Sequence, residues 1–268
     1  EQLIAESTGK HGRGALPVVG EPLGKASEYG ADRAFVAVTT PDAPESPLAK
    51  ALEQAGHPVF RIATTIDQLG GEFFRWEFAT AIAGVVIGIN PFDEPNVTDA
   101  KNRTKAQLDA RKASGTFRLD PPLEKGAGYS RREHVRSTPV TTGAYIAILD
   151  YLPAEPRRAA VIEQLRGRLR QRTGTATTYG MGPRYLHSTG QYHKGGPNTG
   201  TFLIFTAADE HATPVPDTDY TFSALKYAQA LGDFEALAAG DRRVIHYHFE
   251  NPAADYTAEL EKVLLALK

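Results

Sequence analysis

The 268-residue chain is 41% hydrophobic and 23% charged, the composition of a globular protein with material for one large or two small domains. A formal net charge of −2 gives no overall attraction to nucleic acid or an anionic membrane, and the longest apolar run, Ala79 to Ile89, is too short to span a bilayer. The absence of cysteine excludes a disulfide framework, a zinc–thiolate site and a thiol nucleophile, and is compatible with a reducing, cytoplasmic setting.

The chain opens on Glu1, not Met, without a basic-then-apolar leader, and is helical in character from the start, as expected of a piece of a longer polypeptide. Ala34 to Val38 is a short β-branched run bounded by charges and by Thr39-Thr40-Pro41, which predicts a buried strand. Ser46 to Ala55 predicts a helix with Pro47 in its first turn and Gly56 at its stop. Val59 to Ile62 predicts the next strand. Gly71 to Asn90 follows as a long helix carrying Phe74, Trp76, Phe78, Ile82, Val85 and Ile89 nearly all round, so burial on most sides is expected. Thr98 to Ser114 is a second helix with one heavily charged face. Together these give a βαβαα unit, a parallel α/β domain over residues 1–115.

Residues 116–140, with Asp120-Pro121-Pro122, Gly126 and Gly128, predict an irregular connector. A second α/β half over 141–268 then repeats the theme. Strands are expected at Ala144–Leu149, Thr175–Tyr179, Thr201–Phe205 and Val244–Phe249, and helices at Glu155–Arg172, Phe222–Leu231 and Tyr256–Leu267. The fold expected is a three-layer α/β sandwich with a mainly parallel sheet.

Four segments carry more polar and glycine-rich content than packing requires. Glu6-Ser-Thr-Gly-Lys10 can place a base beside anion-binding amides, or simply end a helix with Gly9 as its cap. Asn90 to Asn96 leads into the helix carrying Lys101, a cation near the helix start that opposes the dipole. Arg184 to Thr199 is the densest. It holds His187, Ser188, Gln191, His193 and Lys194 among glycines that admit close approach of a ligand, with no carboxylate nearby to build a metal site. His246 and His248, two apart on a strand, are expected to face solvent, while His11, His57, His134 and His211 are isolated.

Glu6-Ser-Thr-Gly-Lys10, Gly88-Ile-Asn-Pro-Phe-Asp-Glu-Pro-Asn-Val-Thr-Asp-Ala-Lys101 and Leu186-His-Ser-Thr-Gly-Gln191 resemble the signature stretches of glucose-6-phosphate isomerases. The likeness is greatest to the isomerase portion of bifunctional transaldolase/glucose-6-phosphate isomerases, and it implies a sugar-isomerase-type fold. It implies Glu6 as the base moving a proton between C1 and C2 through a cis-enediolate, Lys101 at the ring oxygen and His187 as the acid/base for ring opening. It further implies Ser7, Thr8, Lys10, Ser188, Gln191 and Lys194 as substrate contacts, with no metal and no redox cofactor. Glu94 stands where the family pattern has Gln, and His187 falls much further downstream of Glu6 than in single-function isomerases. The family's Gly-Gly-Ser-like phosphate loop and Gly-Gly-Arg segment have no counterpart. An N-terminal sugar-isomerase domain, with or without a transaldolase domain, and a homodimer sharing its site are therefore the expected partners. A non-catalytic sugar-phosphate-binding module and a purely structural or dimerising segment are the alternatives.

Overall fold

The computed structural model describes residues 1–93, 95–126, 128–136, 143–208 and 213–267, so Glu94 and His211 lie outside the described residues. Helix α1 (Gln2–Thr8) opens the chain. Strands β1 (Phe35–Thr39) and β2 (Val59–Ala63) pair in parallel, Phe35 opposite Val59, with α2 (Pro47–Gln54) crossing between them. The start of α2 is where the local chemistry sets it. Ser46 Oγ accepts the Leu48 N–H at 3.3 Å, and Pro47 sits in the first turn, where a missing N–H matters least. Helices α3 (Leu69–Ile87) and α4 (Val97–Ser114) end on Gly88 and Gly115, both left-handed at φ 70° and 76°.

The expected burial of α3 is corrected by the structure. Phe73, Phe74, Phe78, Ile82, Val85 and Val86 are exposed, and the buried side is the narrow stripe Glu72, Thr80 and Gly84. That stripe of small and polar groups is the one that lets α3 lie close: a side chain at Gly84 would meet the Pro91 ring at 2.8 Å. Apolarity all round shows that a helix seeks partners on all sides, not that the same stretch of chain supplies them. Phe60, Val36 and Val38 on the two-stranded sheet are exposed in the same way.

The second part of the chain builds a six-stranded sheet. In chain order it contributes β3 (Glu124–Lys125), β4 (Ser130–His134), β5 (Tyr145–Asp150), α5 (Pro156–Thr173), β6 (Ala176–Met181), α6 (Gly190–Gly195), β7 (Gly200–Ala207), α7 (Phe222–Ala239), β8 (Arg243–Phe249) and α8 (Tyr256–Ala266). Strand order is β3-β4-β8-β7-β5-β6. β6, β5, β7 and β8 run parallel, and β4 and β3 are antiparallel at one edge. The strand period of two divides the central residues between two cores. Tyr145, Ala147 and Leu149 of β5 join Phe202 and Ile204 of β7 beneath α7, α6 and α1. Ile148, Leu203, Phe205 and Ile245 point the other way, into α5 and α8 through Ile162, Leu165, Leu169, Leu260 and Leu264. The result is the expected three-layer α/β sandwich with a mostly parallel sheet, its central strands buried on both faces.

Two further expectations change. The segment expected to be an irregular connector holds a strand at Ser130–His134, and β4 pairs along its whole length with β8, Arg132 opposite His246. The sequence Ser-Arg-Arg-Glu-His conceals this, since a strand next to the sheet edge takes its place through backbone pairing more than through apolar side chains. His246 is fully buried and His248 half-buried, so the pair does not face solvent. Arg132 Nε donates to His246 Nδ1 at 3.0 Å, which leaves Nε2–H to donate to Thr206 Oγ1 at 2.7 Å. Thr206 in turn donates to His248 Nδ1 at 2.8 Å. Among the described residues, no helix is long and apolar enough to cross a membrane.

Candidate functional site

A cleft of about 350 Å³ opens between α4, α7 and the segment running from the 3-10 turn Arg184–His187 into α6. Gly232 lets α7 lie close to α4 at its back wall: a side chain there would meet Thr104 N at 3.0 Å and Oγ1 at 3.1 Å, tighter than an ordinary contact. Lys101 and Lys105 enter from α4, His187 from the 3-10 turn, Gln191 and Lys194 from α6, and Asp233 from α7. Lys101 of α4 and His187, Gln191 and Lys194 of the Arg184–Thr199 segment, two motifs far apart in the chain, are thus brought to one place.

Gln191 is the hinge-point of this wall. Its Nε2 donates to Gly9 O and to Asn96 Oδ1, both at 2.9 Å, joining the residue after α1 to the residue before α4. The approach depends on two glycines. A side chain at Gly195 would meet Gly9 O at 2.5 Å and Gln191 Nε2 at 2.6 Å, and one at Gly9 would overlap the Tyr192 backbone. Gln191 Oε1 is buried and has no hydrogen-bond partner among the described residues.

The glutamate motif divides. Glu6 is half-buried, accepts from Gln2 Nε2 at 3.0 Å, and is not among the residues lining the cleft. It lies one helical turn from Gly9 on the helix that Gln191 fastens to the cleft wall. Ser7 is half-buried beside it. Thr8 and Lys10, expected as substrate contacts, are turned to structural work instead. Thr8 Oγ1 donates to Ile4 O at 2.7 Å and accepts Ala15 N–H at 3.1 Å. Lys10 is fully enclosed; its ammonium donates to Asn90 O at 3.0 Å and to Asp93 O, and pairs with the Asp93 carboxylate at 3.0 Å. A lysine without exposed surface finds its charge balanced only by such enclosing oxygens. Ser188 Oγ donates to Tyr185 O at 3.2 Å, closing the 3-10 turn beneath the exposed His187.

Lys194 reaches the cleft already paired. Its ammonium lies 2.6 Å from Asp233 Oδ1, both side chains almost wholly buried. The other Asp233 oxygen accepts from Tyr185 OH, and Tyr151 OH lies 3.1 Å from that phenol. Burial first, with the Asp233 charge adding, raises both phenols well above their ordinary range, so they remain neutral donors. His193, the other histidine of the segment, packs beneath the site with Nδ1 3.1 Å from Tyr145 OH. Burial, reinforced by Lys194 and Arg242, pushes its imidazole down to about 3, so it is neutral across the physiological range and takes no part in acid catalysis there.

Sequence reasoning missed Asp233 and Lys105. Both stand on helices whose polar residues look ordinary, and the one signal for Asp233 was a carboxylate in the middle of an otherwise apolar stretch, Ala230-Leu-Gly-Asp-Phe234. Among the described residues, no three His, Asp or Glu side chains converge as a metal site would need.

No protein-family model matches the chain, and no curated protein matches it. Among solved structures, it is similar to a hypothetical protein, TT0462, from Thermus thermophilus, at 17% identity and a TM-score of 0.33. The similarity covers 87% of this chain and 63% of that one, so the chain spans less than two thirds of the length of that structure.

Proposed function

We propose that this chain carries an aldose–ketose isomerase site that interconverts glucose 6-phosphate and fructose 6-phosphate. The observation that supports the reading most is that Lys101 and His187, taken from two separate isomerase-like motifs, face one cleft, with Gln191 tying the end of the Glu6 helix to its wall. In this reading His187 donates a proton to the ring oxygen as the C1–O5 bond breaks and the C1 hydroxyl gives up its proton to become the aldehyde, with Lys101 beside the ring oxygen. The Glu6 carboxylate removes the proton from C2 of the open aldose to give a cis-enediolate, then returns it to C1, while the hydroxyl proton passes from O2 to O1. A carboxylate suits this exchange because one group can take and return the same proton on one face. Because C1 is reduced as C2 is oxidised within one substrate molecule, the exchange requires no redox partner; hydrogen bonds and cations around O1 and O2 stabilise the enediolate charge.

Glu6 lies outside the cleft lining, so the reading places it at the substrate only when the rest of a longer polypeptide is present. That polypeptide would include a sugar-isomerase domain, with or without a transaldolase domain, and would act as a homodimer in the cytoplasm. The same observation favours the second reading, a sugar-phosphate-binding module without catalysis. A coupled assay with fructose 6-phosphate, on this chain and on its parent polypeptide, separates them. The isomerase reading expects turnover in the parent that collapses by about a hundredfold or more in Glu6→Gln, the loss typical of removing a general base. Ligand binding without turnover in both proteins supports the binding module and overturns the isomerase.

A further inference from the structure

Among the described residues lining the cleft, three lysines, Lys101, Lys105 and Lys194, face a single carboxylate, Asp233. That carboxylate neutralises Lys194 at 2.6 Å, leaving Lys101 and Lys105 as excess positive charge with no ion-pair partner among the described residues. The two stand four apart on α4 and therefore on one face, their Cβ atoms about 6 Å from each other. Like charges at that spacing repel. An anion seated between the two ammonium groups removes that penalty.

We propose that Lys105 anchors a phosphate monoester in this cleft. The α6 wall supplies the contrast: its Lys194 is already neutralised by Asp233. The cleft's unbalanced positive charge therefore lies on α4, where the anionic end of a phosphorylated sugar would sit. In a hexose 6-phosphate, the ring oxygen and the phosphorus are separated only by two carbons and the ester oxygen. A lysine at the ring oxygen and a lysine at the phosphate must then be near neighbours, as residues one helical turn apart are. The identity of the sugar, with Lys101 at its ring oxygen, rests on the isomerase reading; the anion site does not.

The test titrates inorganic phosphate into the protein by calorimetry, comparing the unaltered chain with Lys105→Gln, Lys105→Arg and Lys50→Gln, the last an exposed lysine on α2. Lys105→Gln should weaken phosphate binding by about fivefold, the scale of one exposed ion pair. Lys105→Arg should restore it and Lys50→Gln should leave it unchanged. Equal affinity in the unaltered chain and Lys105→Gln, an equal loss in Lys50→Gln, or no phosphate binding at all overturns the proposal. The parent polypeptide's isomerase kinetics separate this from the functional reading. KM for fructose 6-phosphate should rise in Lys105→Gln with kcat unchanged. A KM that does not move sinks the anchor and spares the isomerase, whereas phosphate binding that depends on Lys105 without turnover sinks the isomerase and spares the anchor.

Discussion

The carboxamide nitrogen of Gln191 lies 2.9 Å from Asn96 Oδ1 while also donating to Gly9 O, so one side chain sets the distance between the helix bearing Glu6 and the helix bearing Lys101. Replacing Gln191 by Ala should leave the buried Gly9 O and the part-buried Asn96 Oδ1 without this donor and lower stability by about 1–3 kcal/mol. Gln191→Glu should be worse, since it sets a carboxylate against two oxygens. If the site is catalytic, the misplacement of α1 relative to α4 should reduce turnover by about tenfold or more. Urea unfolding and kcat measured on the same preparations check both; stability and rate unchanged in Gln191→Ala would show that the contact joins nothing of consequence.

That relationship marks the limit of what the sequence makes legible. The strands at Phe35, Val59, Tyr145, Gly200 and Arg243 and the glycine-capped helices are visible because apolar runs, N-caps and left-handed stops are local signals. β4 is not, because its reason for being a strand is the β8 backbone more than a hundred residues away. α6 carries no helical signal for a similar reason: its Gln191 and Tyr192 are buried by α1 and the sheet, which no local pattern announces. Lys101 and His187 are legible through their motifs, whereas Asp233 and Lys105 become site residues only when α7 packs on α4 at Gly232.

Asp233 and Tyr185 should differ sharply as sites of substitution. Asp233 balances the buried Lys194 ammonium, so Asp233→Leu leaves that charge uncompensated and should reduce stability by about 3–5 kcal/mol. Tyr185→Phe removes one charge-assisted hydrogen bond and leaves the ion pair, with an expected loss of about 1.5–3 kcal/mol. A double variant, Asp233→Leu with Lys194→Met, should recover part of the first loss. Denaturant midpoints for the four proteins decide the order; equal losses in Asp233→Leu and Tyr185→Phe would mean the ion pair adds nothing.

Acid should destabilise the fold through its buried histidines. Burial holds His193 down to about 3 and His246 well below its ordinary value, with nearby cations adding in both cases. Both groups are neutral in the folded state and protonate near 6.5 when unfolded. Their contribution is therefore fully present above about pH 6.5 and is lost as pH falls towards about 3 for His193, with a slope of up to about 1.4 kcal/mol per pH unit for each ring. Unfolding free energies measured between pH 7.5 and pH 4.5 should fall accordingly. A His193 ring that titrates near pH 6.5 by NMR in the folded protein would contradict the assignment.

The exposed face of α3 makes the last prediction. Phe74 and Phe78, 68% and 59% exposed, stack with ring centroids 6.1 Å apart, and Val85 and Val86 continue the patch along the helix. Contiguous apolar surface of this kind drives non-specific association in water. The chain should therefore bind a hydrophobic dye and show concentration-dependent association by sedimentation. Because neither ring is buried, Phe74→Lys with Phe78→Glu removes little packing, and the i, i+4 pair adds a few tenths of a kcal/mol at most. The double variant should lose the dye signal and the association while its urea midpoint stays within about 0.5 kcal/mol of the unaltered chain. A large loss of stability would show instead that these rings are packed against this chain in solution.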